Sequence, residues 1–339
     1  MSLMRDEALS APQRIAEQVR INRDTMVQLG EVLRHQTFHA GMTVARGSSD
    51  HAAGYFAQLM MQMTGQPCAS LPLSLCTLDN TAWQLDGTLS LSVSQSGRSF
   101  DLIEAQKALK GGGALALAMV NAVDSPLAHG ADHVIDLQAG EEKSVAATKS
   151  FLATLSASAS LMAYWRQDQS LLDALDALPE SLAQACRLDW SQGVEALHAV
   201  DRLLVIGRGA GLPIAQEAAL KFKETCVIQA EAFSGAEVQH GPMALVGRDY
   251  PVLILAPRGP AQNGLVELAD TFRARGARVL LAADASVASR DLTIADAPHD
   301  ALAPLCAIQS FYLMIEALSC ATGHDPDRPE FLNKVTQTR

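Results

Sequence analysis

Aromatic side chains are scarce: Phe, Tyr and Trp make up 5% of the 339 residues. A core of stacked rings is thereby excluded. Ala, Leu, Val and Gly must carry the packing, as in α/β proteins whose helices lie close on a sheet. Charge is thin at 19%, and positive charge thinner: 26 Lys and Arg against 37 Asp and Glu leave a formal charge of −11. A broad basic face for nucleic acid is excluded. An anionic small molecule has to be captured locally, by amides, hydroxyls and a few placed cations. Six cysteines (Cys68, Cys76, Cys186, Cys226, Cys306 and Cys320) show no C-x-x-C spacing and no zinc-like pairing with histidine. They read as reduced thiols, and no metal or other cofactor is expected. His35 and His39 are four apart and can share a helix face, but nothing nearby completes a metal site. G-x-G-x-x-G is missing, and Gly207, Gly209 and Gly211 are too tightly spaced for a dinucleotide turn. The start lacks an apolar signal core, and no apolar run reaches the roughly 18 residues that cross a membrane. A cytoplasmic location away from membranes is expected.

What is present is one device used twice. Met42–Ala45 and Leu89–Val93 are apolar, β-like runs. Each leads into a serine-rich turn, Gly47-Ser48-Ser49 and Ser94-Gln95-Ser96-Gly97-Arg98-Ser99, and then into a helical pattern. A helix N-terminus reached in this way holds an anion through backbone N–H groups and hydroxyls. The natural guest is a phosphate on a small polar body such as a sugar. Ordinary N-caps would also use serine.

The order of elements then repeats. A helix is expected over 11–34, then a strand, a helix over 49–64, a strand over 88–94, a helix through Leu109, a buried strand at 114–120, another short strand at 134–137, and a long helix over 144–166. In the second half Leu203–Gly207 matches Thr43–Gly47. Strands at 251–256, 278–283 and 292–294 follow in the same order, with helices over 213–226 and 303–321. Such alternation implies parallel sheets, and a period this long implies duplication of one unit. Ligands in these folds bind beyond the strand C-termini, where the serine turns lie.

Glu217, Lys221 and Glu224 fall at i, i+4 and i+7, on one helix face. Alone they read as a solvated ion-pair ladder. The following stretch, Ala230–Pro242, is polar and glycine-punctuated, fits a buried strand poorly, and holds His240 in Gln-His-Gly-Pro. Together these residues supply a carboxylate base, an amine and an acid/base that titrates near neutrality. The tail Gly323–Val335 carries Lys334 after two stiffening prolines, or is a frayed terminus.

Six segments in order, GSS at 47–49, SQSGRS at 94–99, VAATKSF at 145–151, PIAQEAALKFKE at 213–224, EVQHGPMAL at 237–245 and DPDRPEFLNKV at 325–335, resemble the sugar isomerase (SIS) superfamily. Within it, the chain is similar to the isomerase half of glutamine–fructose-6-phosphate aminotransferases and to SIS-type glucosamine-6-phosphate deaminases. The resemblance implies an α/β fold of two tandem SIS subdomains. Each is a mostly parallel five-stranded sheet flanked by helices, in a three-layer α-β-α, flavodoxin-like arrangement. The implied organisation is an N-terminal helical segment (1–40), a first subdomain (41–166), a helical bridge (167–201), a second subdomain (202–322) and a tail (323–339) closing over the site.

The implied roles are as follows. Gly47, Ser48, Ser49, Ser94, Gln95, Ser96 and Ser99 hold the sugar phosphate, and Val145 touches the substrate through its backbone. Glu224 moves a proton between C1 and C2, and Lys221 is able to form a Schiff base. His240 opens the ring from the neighbouring subunit of a homodimer, and Lys334 closes over the sugar. The expected ligand is a phosphorylated aminosugar or ketose. No glutamine-hydrolysing domain with its N-terminal Cys is found here. The expected reaction is therefore deamination of glucosamine 6-phosphate to fructose 6-phosphate and ammonia. A related reaction on galactosamine 6-phosphate or a fructosamine 6-phosphate adduct, or a non-catalytic sugar-phosphate sensor, would use the same residues. Arg46 and Arg98 depart from the synthase pattern.

Overall fold

The structure, a computed structural model, describes residues 2–79, 81–332 and 334. They form two compact units, one of residues 13–142, 149–176 and Lys334, the other of residues 2–12, 143–148 and 177–332.

The first sheet grows from α1 (Leu3–Ile21), α2 (Arg23–Arg34), β1 (Ala40–Val44), α3 (Ser48–Thr64), β2 (Cys68–Ser70), α4 (Ser74–Thr77), β3 (Thr88–Ser94), α5 (Phe100–Gly111), β4 (Leu115–Val120), α6 (Pro126–Gly130), β5 (His133–Asp136) and α7 (Lys149–Arg166). Its order is β2-β1-β3-β4-β5 and every pairing is parallel. β3 lies at the centre with all seven residues buried, as its unbroken run of small and apolar side chains requires. Val44, Ala118 and Val120 pack against Leu102, Ala105 and Leu109 of α5. Chain order reverses between β1 and β3, and a parallel sheet opens its ligand crevice at such a switch point. α7 is buried on almost every face. It meets α2 so closely that a Cβ on Gly30 would lie 2.9 Å from the Tyr164 carbonyl.

The second sheet follows α8 (Gln169–Ala185) and α9 (Ser191–Leu197). It comprises β6 (Arg202–Gly207), α10 (Leu212–Cys226), β7 (Gln229–Ser234), β8 (Pro251–Ala256), α11 (Gln262–Ala274), β9 (Arg278–Ala283), β10 (Leu292–Thr293) and α12 (Ala303–Ala321). Its order, β7-β6-β8-β9-β10, repeats the first strand for strand, again all parallel. The duplication read from the sequence is thus present in the topology. Leu204, Ile206, Val252, Ile254 and Leu281 form the core with Leu265, Leu268 and Phe272 of α11.

Four expectations change. The helix placed at 11–34 is two helices, and α1 starts at Leu3 with Pro12 inside it. Pro12 has no N–H to give the Ala8 carbonyl one turn back. The buried Gln309 side chain of α12 donates to that carbonyl instead, at 3.0 Å, so the helix continues. Residues 229–234, read as loop, form β7. It is an edge strand, and its exposed side accommodates Glu231. His35 and His39 lie in the connection between α2 and β1, not on one helix face. Finally, the 22-residue stretch Asp300–Ala321 is long and apolar enough to cross a membrane, which the sequence reading denied. Its most apolar 18-residue window is 89% buried inside the fold, so it is a core helix.

Candidate active site

The two serine turns stand at the β1/β3 switch point of the first sheet, where β1 register-pairs Val44 with Ser92. Gly47, at φ +56°, turns the chain sharply off β1, and α3 begins at Ser48 itself. Gly97 does the same after β3 at φ +62°, with no space for a Cβ against Ser125. The amides of Asp50 and His51 close the first turn of α3 on the Gly47 carbonyl, at 3.0 and 3.2 Å. Ser94 is buried, and its hydroxyl accepts the Gly97 N–H at 3.0 Å, which shapes the second turn. Ser99 precedes α5 in an extended conformation, yet its hydroxyl makes no capping bond. Gln95, Ser96, Ser48 and Ser49 lie on the same two turns. The arrangement is two helix N-termini, of 17 and 12 residues, with hydroxyls around them. Helix dipoles and opening amides favour an anion there.

The two arginines differ. The Arg46 Nε donates to the buried Asp101 carboxylate on the first turn of α5, at 3.0 Å. Arg98 turns toward the β4 side, where its Nη2 donates to the Asp124 carbonyl at 3.3 Å. The tail residue Lys334 lies 3.6 Å from Glu142. That buried carboxylate also accepts the Ser150 hydroxyl at 2.5 Å and the Ser150 amide at 3.2 Å.

The other unit carries the acid/base groups on α10. Pro213 near its start is tolerated because the first amides of a helix have no internal partner. Glu217, Lys221 and Glu224 do share a face, but the ladder is not solvated. Lys221 is fully buried, with Nζ 2.5 Å from Glu224 and 3.3 Å from Glu217. Tyr312 of α12 donates its hydroxyl to Glu217 at 3.1 Å. Glu217 is sealed, whereas the Glu224 side chain keeps 20% of its surface open. Burial presses the Lys221 pKa down, and the two carboxylates outweigh it, so the lysine stays above its ordinary value. A Schiff base needs a neutral amine, whereas two carboxylates this close favour the ammonium.

His240 ends a short 3-10 turn over Glu237–His240 and is exposed. Val145 lies in the loop before α7, since that helix starts at Lys149 rather than near 144. Its amide is already donated to the Asp327 carbonyl at 3.2 Å, leaving its carbonyl for any backbone contact. Sequence reasoning did not find Asp101, Glu142 or Tyr312. It noted Glu217 only as a ladder partner. The four-residue step from Glu217 to Lys221 was the one usable signal among them.

Comparison with known proteins accords with this geometry. The SIS domain pattern matches residues 42–164 and again 196–321, together well over half of the chain. The chain belongs to the SIS domain family. Among SIS proteins it is 34% identical over 301 residues to the glutamine–fructose-6-phosphate aminotransferase of Methanothermobacter thermautotrophicus, covering 86% of this chain and 50% of that protein. It is 33% identical over 264 residues to a Thermus thermophilus enzyme of the same name, covering 73% and 44%. The chain thus spans about half the length of these curated relatives. A solved structure from Silicibacter pomeroyi DSS-3, provisionally named a phosphosugar isomerase, is 40% identical with a TM-score of 0.91, over 96% of this chain and 100% of that one. The C-terminal domain of the Francisella tularensis aminotransferase superposes with a TM-score of 0.87 at 26% identity, over 97% and 98%. Each of these relatives is named for an enzyme acting on a phosphosugar.

Proposed function

We propose that this SIS protein is an aminosugar-phosphate deaminase/isomerase that converts glucosamine 6-phosphate to fructose 6-phosphate and ammonia. The observation that carries the reading is the Glu217–Lys221–Glu224 cluster, sealed at Glu217 and Lys221 and open only at Glu224. Burying a charged pair beside a third charge is costly, and a fold keeps such a cluster where chemistry uses it. A sensor would need only the serine turns.

In this reading the turns from Gly47 to Ser49 and from Ser94 to Ser99 hold the phosphoryl group. His240, supplied by a second copy of the chain, opens the ring by proton transfer to the ring oxygen. Glu224, the carboxylate with open surface, removes the C2 proton once C1 is an aldehyde, and returns it to C1. The Lys221 ammonium, 2.5 Å from Glu224, donates to the oxygen on C1 as charge grows there. The product is an imine at C2. Water adds to that carbon and the nitrogen departs as ammonia, leaving the ketone. Lys334, paired with Glu142, closes over the open chain.

The test is incubation with glucosamine 6-phosphate and assay of ammonia and fructose 6-phosphate. Ammonia above the blank supports the reading. Release only from galactosamine 6-phosphate or a fructosamine adduct reassigns the substrate, and binding without turnover replaces the enzyme with a sensor.

A further inference from the structure

The hydroxyls and amides of the two serine turns carry no full positive charge, and the chain as a whole is strongly acidic. A phosphoryl dianion entering the β1/β3 crevice therefore meets an unfavourable field unless a cation is placed at the mouth. The structure offers one. Arg46 immediately precedes Gly47 just past the end of β1, and its Nε donates at 3.0 Å to Asp101 on the first turn of α5, two residues past Ser99. The side chain thus runs from one serine turn to the start of the helix that follows the other. Asp101 is 2% exposed at its side chain and also accepts the Leu102 amide at 2.9 Å, so the anchor is rigid. Arg46 itself is 57% exposed. The Nε contact engages one of the five guanidinium donors, and four remain for a ligand.

We propose that Arg46, aimed by Asp101, is the charged ligand of the phosphoryl group in this site. This rests on the reading of the serine turns as a phosphate site and adds to it the residue that recognises charge. Arg98, the other arginine of these loops, is not the candidate. It is engaged with the Asp124 carbonyl on the β4 side. A guanidinium matches two phosphoryl oxygens at once, and a charge-assisted contact of this type contributes about 10- to 100-fold in affinity.

The test is calorimetric titration of the full chain and of Arg46→Ala with fructose 6-phosphate and with inorganic phosphate, at low and high salt. Steady-state rates on glucosamine 6-phosphate are measured alongside. The expected result is a loss of about 10- to 100-fold in affinity for both ligands. KM should rise in parallel with kcat nearly unchanged, and the salt dependence seen with the parent protein should flatten. Arg46→Lys, which keeps the charge but not the fork, should recover part of the loss. An affinity that Arg46→Ala leaves intact overturns the proposal. So does a loss that falls on kcat alone, or one that stays equally salt-dependent, because either marks Arg46 as a brace between two loops. Failure of the parent protein to bind either ligand overturns the phosphate reading itself, and the proposal with it. Removing Arg46 leaves the buried Asp101 without its cation and lowers the melting temperature, and a single cooperative transition above the assay temperature shows that Arg46→Ala is folded.

Discussion

Replacing Glu217 by glutamine tests the buried cluster directly, because the shape is kept and one charge is removed. On a solvated helix face the Glu217–Lys221 pair would contribute about 0.3–0.5 kcal/mol. Here both side chains are 1% exposed or less, and Glu217 accepts from Lys221 at 3.3 Å and from Tyr312 at 3.1 Å. Breaking a buried pair costs about 3–5 kcal/mol, since the remaining charge stays behind without compensation. Lys221 retains Glu224 at 2.5 Å, which points to the lower end, about 3 kcal/mol. At about 2–4 °C per kcal/mol for a unit of this size, melting should fall by about 6–12 °C. The pH dependence supplies a second signature. The folded pKa of Lys221 lies above its ordinary 10.5. Its stabilisation is therefore complete below 10.5 and drains away as pH rises through the folded value. In Glu217→Gln one of the two carboxylates opposing desolvation is gone, and the alkaline loss should begin at lower pH. Scanning calorimetry between neutral pH and the alkaline limit measures both. A melting change under about 1 °C, with an unshifted alkaline limb, would refute the account of a sealed cluster.

Three further outcomes are expected. Glu224→Gln should lower kcat on glucosamine 6-phosphate by about 10²–10⁴-fold while fructose 6-phosphate binds as before; normal turnover would remove Glu224 as the base. Gln309→Met strands the Ala8 carbonyl and should cost about 1–2 kcal/mol in urea unfolding, but almost nothing beside Pro12→Ala, whose restored amide satisfies that carbonyl. Equal costs in both backgrounds would contradict the assigned contact. Val227 ends α10 at φ +55° and is 72% exposed, so Val227→Gly should relieve left-handed strain and add about 1 kcal/mol, read as a higher melting temperature. No rise would mean that the backbone there is unstrained.

The buried strands were legible in the sequence for a simple reason. Runs such as Leu115–Val120 and Pro251–Ala256 are apolar without interruption, which only a doubly covered parallel strand requires. Edge strands carry no such mark. β2 has three residues, and β7 includes the exposed Glu231. The helix start at Leu3 was hidden because the sequence shows Pro12 but not the Gln309 amide that compensates for it. The turn serines and the α10 face were visible as local patterns. Their partners were not, because Arg46 with Asp101, Tyr312 with Glu217 and Lys334 with Glu142 are joined only by the fold. Spacing on one helix revealed that Lys221 faces Glu217. It held no information on whether water reaches them.

The place of α12 in the chain has a consequence for biosynthesis. Both sheets and α10 leave the ribosome before Tyr312 does, so the Glu217 carboxylate waits for its hydroxyl donor until α12 follows. During that interval the emerging α12 is a greasy nascent segment with the length and composition of a membrane anchor. Until it docks on α10 its apolar length stays uncovered, and an uncovered segment of this kind is open to aggregation. The Glu217–Lys221–Glu224 cluster is therefore completed only after both sheets have emerged.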